Sequence, residues 1–504
     1  MTPLVLDGNP LTVRDVDDVA RRNREVVADP RLAVRMEPAR RFVEQALAEG
    51  QIVYGVTTGF GALASTRIDA ADAARLQISL VRSHAAGVGD PLPRLLVRAM
   101  LLLRARTLAQ GHSGVRAEIV ERYLDFLRLD LLPVVPSQGS VGASGDLAPF
   151  AHLALPVIGE GLLDDGNGPE PASGALARHG LEPLVLLPKE GLSLLNGTEG
   201  MASFGALGAV RARRLAVAAD AACALSVEAL VGSSRPFRPD VHALRPHPGQ
   251  IESAARIAAA IDGSAIGASH HDDFVHAVQD AYSLRCAPQV HGAALDTIDH
   301  AITVLERELG SVVDNPIVFP EHNEVVSAGN FHGQPLAFVL DFMTIAITEL
   351  SNISERRIDR LLDPQRSSGL PAFLSAQPGV ESGYMLAQYT AAALVAENRV
   401  LSHPASVESI PTSGSQEDHV SMGWGAGRKL WDVLPNVTRV LAAEILCAVE
   451  GIEYRALRPA PRTAEWVEAV RAHVPRLTTD RPIGSDIETV AQLIEAGTFD
   501  DAAQ

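Results

Sequence analysis

The chain has 504 residues, 47% of them apolar, and a formal net charge of −18. That length suits one large helical unit or several ordinary domains, and the acidity argues against nucleic acid or an anionic membrane surface as partner, because phosphate binding needs a basic face. Three scattered cysteines, Cys223, Cys286 and Cys447, make neither a disulfide framework nor a CxxC metal pattern, which fits a reducing cytosol.

The N-terminal stretch lacks the basic and apolar regions of a signal peptide, so a cytoplasmic location is expected. No charge-free run is long enough to span a bilayer; Asp220 and Glu228 interrupt the most apolar Ala-rich stretch. Residues 3–6 predict a short strand, and Thr12 with Asp15 predicts a capping box opening a helix. Pro38 suits a first helical turn, and Gly50 stops the helix that buries Phe42, Ala46 and Leu47. Residues 54–63, YGVTTGFGAL, read as a loop. A helical pattern covers 76–127, broken by SHAAGVGDPLP around His84. Residues 160–180, rich in Gly, Pro and Asp, predict an exposed excursion, and LSLLNGTEG at 192–200 leads into an Ala-rich helix to about residue 231. Long helices are expected over about 293–309, 335–362, 384–401 and 417–450, the last bending at Pro435. Their apolar residues run nearly all round, as in helices buried on every side, which implies a central bundle with neighbouring subunits around it. Ser485 with Glu488 predicts the cap of a last helix. The fold class is mainly α.

One stretch organises the rest: GSVGASGDLAPFAHLAL, residues 139–155. Glycines at 139, 142 and 145 leave little bulk around Ala143 and Ser144 and permit a tight, strained turn. An ordinary Gly/Ser loop is one reading. A phosphate-binding loop lacks its GK[ST], and the G-x-S-x-G of a serine-hydrolase elbow is not matched around Ser144. The run resembles the signature of the histidine and aromatic amino-acid ammonia-lyases, in which an Ala-Ser-Gly triplet cyclises into methylidene-imidazolone (MIO). The triplet maps onto Ala143, Ser144 and Gly145, and the resemblance covers about residues 4–500. It implies the ammonia-lyase fold: a smaller N-terminal part with the cofactor loop (1–200), a central long-helix bundle (201–455) and a C-terminal helical segment (456–504). The chemistry is consistent with the residues. The Gly145 amide nitrogen must attack the Ala143 carbonyl, so the turn must be compressed and the third position bare. Loss of two waters leaves an exocyclic methylidene, an electrophile that no ordinary side chain supplies.

Elimination of ammonia also needs a base for the poorly acidic β-hydrogen and a cationic fork for the substrate carboxylate. Tyr54 taken alone is a half-buried structural tyrosine; the resemblance puts it beside the cofactor as a candidate for proton transfer, provided that its pKa comes down from about 10. In QDAYSLRCAPQ, residues 279–289, the resemblance makes Arg285 the carboxylate fork, with Tyr282 and Gln279 lining the site and Tyr282 the rival base. Asn196 is locally a helix-capping residue; the match places it at the cofactor and the carboxylate. Phe331 reads as core, and the match sets it against the MIO ring. Asp314 to Pro316 read as structural. His84 and Glu417, with Gln416 beside it, are the substrate-side candidates, Glu417 at an expected helix start. LVRSHAAGVG looks like the histidine-specific members; tyrosine-specific relatives tend to place His-Leu, and phenylalanine-specific ones Phe-Leu, across Ser83 and His84. The SGS before Gln416 departs from a more usual bulkier pair. HHDD, residues 270–273, has metal-ligand residue types, but adjacent side chains diverge, so no metal is expected.

The resemblance thus implies conversion of L-histidine to trans-urocanate and ammonia by a homotetramer whose sites draw on three chains. Within the class the alternative is a tyrosine or other aromatic ammonia-lyase or aminomutase. Outside it stand a Ser144 hydrolase and a non-catalytic helical scaffold. Which of Tyr54, Tyr282 and Glu417 is the base stays open.

Overall fold

The computed structural model describes residues 1–51, 58, 68, 72–269 and 279–500. The chain is mainly α, as expected. It divides into two compact units. One comprises Met1–Leu207, Ile302–Leu340 and Pro404–Arg428; the other comprises Gly208–Ala301, Asp341–His403 and Lys429–Gln504. Each is assembled from three separated stretches, unlike the contiguous 1–200, 201–455 and 456–504 expected from the sequence.

In the first unit the helix Arg94–Ala109 is buried along almost its whole length, and Val13–Arg21 and Ala117–Arg128 pack on it. The strand at Leu4–Leu6 and the Thr12–Asp15 capping box form as expected, the strand pairing in parallel with Val26–Ala28. A second ladder joins Val88–Pro91 to Pro136–Gln138. This ladder matters for function. It ties the segment after His84, which ends the helix Ala73–His84, to the segment that enters the glycine-rich loop. Residues 160–180 are more ordered than their composition predicts: Leu162–Asp164 and Pro169–Pro171 form a hairpin followed by the helix Ala172–Arg178.

Five long helices, Glu199–Ala229, Ala287–Leu309, Gln334–Leu362, Met385–Leu401 and Gly423–Glu453, carry most of the remaining chain. Small residues set their spacing. A Cβ on Gly208 would lie 2.8 Å from the Leu430 side chain, and one on Gly451 would lie 3.0 Å from the Ala229 methyl, so side chains of the facing helix pack directly onto these glycines. Gln334–Leu362 is apolar and long enough to cross a membrane by composition, yet 72% of its apolar window is buried, and its Asp341 pairs with Lys429 at 2.8 Å. It reads as a core helix.

Four expectations need correction. Pro38 lies inside the helix Leu32–Ala48 and not in its first turn; that helix starts at Arg31 with no side-chain cap, so no capping residue marks it. The helix Ala287–Leu309 begins six residues before the expected 293. The last helix, Gly484–Glu495, lacks the Ser485–Glu488 box: Ser485 donates to the Pro482 carbonyl, and Glu488 pairs with Arg439. Glu417 is not at a helix start. It closes a tight turn against Thr412, and the helix begins at Gly423.

Candidate active site

The glycine-rich loop is clamped from two sides. Ser144 adopts a left-handed conformation (φ +53°), as do Gly142 and Gly145 (both +80°), so the triplet lies in a sharp, strained bend. Residues 144–146 pair with Gly197: Gly197 N donates to Ser144 O (3.3 Å), and Asp146 N donates to Gly197 O (2.9 Å). A Cβ on Gly145 would lie 2.0 Å from the Gly197 carbonyl oxygen, so only glycine fits the third position. On the other side Met422 N donates to Val141 O (3.0 Å), and a Cβ on Gly142 would collide with the Ser421 hydroxyl. These residues fit formation of MIO: bent triplet, bare third position, backbone held at both ends.

Asp146 locks the same loop. Its carboxyl accepts from Ser140 Oγ (3.0 Å) and Met201 N (2.8 Å), and burial pushes its pKa up to about 7. Behind Gly197 lies a buried pair, Arg104 Nη2 to Glu199 Oε2 at 2.7 Å, with the guanidinium 4.4 Å above the Phe150 ring. Asn196 is buried and caps the C-terminus of the helix Glu190–Leu195; its Nδ2 donates to Leu192 O and Asn315 O, both at 3.2 Å. Asp314 accepts from the fully buried Lys189 at 2.9 Å. Phe331 is partly buried in a loop whose Gly333 touches Met201 and Ser421, the neighbours of Asp146 and Gly142.

His84 and Glu417 fall in this unit and interact electrostatically. Burial lowers the His84 pKa, against the opposing effects of the Leu80 carbonyl and the Glu417 charge. His84 Nδ1 lies 2.9 Å from Leu80 O, so in the neutral ring Nδ1 carries the proton and Nε2 is the acceptor nitrogen. Glu417 Oε2 accepts from Thr412 Oγ1 at 2.8 Å, and the turn between them runs through three left-handed residues, Ser413, Gly414 and Ser415. Gln416 is exposed beside it.

The second unit holds the other group. Gln279 and Tyr282 are exposed, and Arg285 is half-buried on the short helix Tyr282–Arg285. Arg285 donates its Nε to Asp280 O (2.9 Å), and its guanidinium carbon lies 4.6 Å from the centre of the Tyr282 ring. Tyr54 and HHDD lie outside the described residues. Among the described residues no cluster of three metal-ligand side chains occurs. Sequence reasoning missed Arg104, Glu199, Lys189 and Thr412. The first had a signal: an arginine inside the apolar run LLLRARTLA must find a buried partner.

A strained, clamped Ala-Ser-Gly turn in a long-helix fold defines a class, and the comparisons agree. Residues 11–472 match the aromatic amino acid lyase family, to which the chain belongs; MIO is the cofactor type of that family. The chain is 51% identical to histidine ammonia-lyase of Anaeromyxobacter dehalogenans, over 99% of this chain and 100% of the relative. Among solved structures, histidine ammonia-lyase of Trypanosoma cruzi superposes with a TM-score of 0.91 at 42% identity, covering 99% of this chain and 94% of that one. Tyrosine aminomutase from Streptomyces globisporus gives 0.93 at 40%, covering 99% and 98%.

Proposed function

We propose that the chain catalyses non-oxidative deamination of L-histidine to trans-urocanate and ammonia, using MIO formed autocatalytically from Ala143, Ser144 and Gly145. The observation that carries this reading is the company of the compressed triplet: His84 and Glu417 share its unit and interact with each other. The two superpositions, 0.91 and 0.93, do not separate histidine from tyrosine as substrate, so the ring-binding residues must. The neutral His84 Nε2 and the Glu417 carboxylate are both acceptors. A histidine ring brings one N–H when neutral and two when protonated; a phenol brings one O–H, and a phenyl ring none. Acceptors left without a donor in a desolvated pocket penalise the phenyl ring most.

The MIO ring supplies the electrophile that makes the amine a competent leaving group. Arg285 takes the substrate carboxylate in a bidentate fork. Phe331 packs against the reacting centre, while Gln279, Asn196 and Gln416 line it. One of Tyr54, Tyr282 and Glu417 removes the β-proton, the C–N bond breaks, and its electron pair leaves with ammonia as the C=C bond forms. The assembly is a homotetramer in the cytoplasm whose sites combine residues of three chains; the free thiols of Cys223, Cys286 and Cys447 support a reducing setting.

The test is direct. Purified protein given L-histidine accumulates the ultraviolet absorbance of urocanate, and its intact mass is short by two waters. Ser144→Ala restores most of the missing mass and abolishes turnover. An active protein with the uncyclised mass overturns the cofactor assignment.

A further inference from the structure

In the second unit a chain of buried polar groups ends on the substrate-carboxylate segment. Arg357 and Glu444 are both fully buried and face each other side on: Nε and Nη2 of Arg357 donate to the two Glu444 oxygens, the latter at 2.9 Å. Ser226 Oγ donates to the same carboxylate at 2.7 Å. His291, also fully buried, sits 3.4 Å from Arg357 Nη1 through its Nε2. A guanidinium can only donate, so His291 Nε2 is the acceptor and Nδ1 the donor, and Nδ1 lies 2.7 Å from Asp220 Oδ1. Asp220 is closed off by Ser253 and by Arg256 at 2.8 Å. Every member of this network therefore has a partner of matching sign.

The network reaches backbone in the segment 282–285. Arg357 Nη1 donates to Ser283 O at 3.2 Å, and Ser283 is in the middle of the four-residue helix Tyr282–Arg285. A helix that short cannot satisfy its own last carbonyls, so an outside donor fixes where it sits. Glu444 and His291 take up the rest of the guanidinium and fix its plane, so the Arg357 donor is aimed by the core and not by solvent. The segment is also held by Arg285 Nε to Asp280 O, by Ser233 N to Asp280 Oδ2 at 2.8 Å and by the buried Leu284, but none of these reaches the Ser283 carbonyl.

We propose that Arg357, held by Glu444 and His291, is a positioning residue that latches the Ser283 carbonyl and thereby sets the direction of the Arg285 fork. This rests on the reading of Arg285 as the carboxylate-binding residue. The latch would convert a rigid buried network into orientation of a half-buried side chain, with no contact between Arg357 and substrate.

The test uses Arg357→Lys, which keeps the charge opposite Glu444 but cannot make both bonds to it and the bond to Ser283. In the full-length protein, kcat/KM for L-histidine falls about tenfold or more, chiefly through KM. Inhibition by trans-urocanate weakens by a similar factor, while inhibition by 4-methylimidazole, which has no carboxylate, is unchanged. In an Arg285→Ala background the same substitution adds nothing. Hydrogen exchange rises for the amides of residues 280–287 and not across the molecule. Equal weakening of both inhibitors, additivity with Arg285→Ala, or unchanged exchange at 280–287 overturns the proposal. If Arg357→Lys fails to fold, Glu444→Gln carries the same readouts. Should Arg285→Ala leave urocanate binding intact, the carboxylate assignment fails, and the latch is then judged by exchange alone.

Discussion

Asp146 is a loop-locking residue whose charge state the fold controls. Its native pKa of about 7 stands above the ordinary 3.8 because it is buried. Between those values the folded chain holds a proton that the unfolded chain has released, so the contribution of Asp146 to stability falls as pH rises from about 4 to about 7. The ceiling on that loss is about 4 kcal/mol, a figure that already contains the opposing pull of the Met201 and Ser140 donors, which favour the carboxylate. Asp146→Asn removes this slope. The thermal midpoints of the two proteins, compared across that pH range, diverge as predicted or the burial argument fails. Arg285 makes a separate prediction. If it is a bidentate fork, Arg285→Lys costs about 2–5 kcal/mol in transition-state terms, nearly as much as Arg285→Ala. Near-normal kcat/KM in the lysine variant contradicts the assignment.

At the scale of elements, the glycine-rich loop works because two other segments hold it. Gly145→Ala places a methyl group where the Gly197 carbonyl already sits, so residues 196–198 must move away and the triplet opens. Intact mass then reads the uncyclised chain while the helices persist by circular dichroism. Behind that contact, Arg104→Met strips Glu199 of its buried partner and costs about 3–5 kcal/mol in stability, measured by denaturant unfolding. What the sequence disclosed follows the range of the interactions. The capping box at Thr12 and the triplet turn are local and were legible. The start of Leu32–Ala48 was not, because Arg31 offers no capping side chain and Pro38 is tolerated inside. Glu417 was misplaced because its position depends on Thr412 and on serines in left-handed conformations, which propensity does not anticipate. Arg357 and the Ser283 carbonyl meet across 74 residues, beyond any motif.

At the scale of the molecule, the prediction concerns assembly. Partly exposed Phe342 and Ile345, with Val290, Ala293 and Ala294, line an apolar groove of about 550 Å³ in the second unit. A helix face of this kind suits burial against another copy in a closed symmetric oligomer. Light scattering is expected to give a tetramer, and an active monomer excludes shared sites. Mixing a Ser144→Ala chain with an Arg285→Ala chain is expected to recover activity, since the triplet and the fork would then meet intact at some sites.

The most direct test of the central claim is kcat/KM for L-histidine, L-tyrosine and L-phenylalanine measured side by side on the unmodified protein. With His84 and Glu417 both acceptors, histidine is predicted to lead phenylalanine by orders of magnitude and tyrosine, whose phenol still brings one O–H, by a smaller factor. A clear preference for tyrosine or phenylalanine would contradict the histidine assignment, while leaving the chain's place among the aromatic amino acid lyases intact.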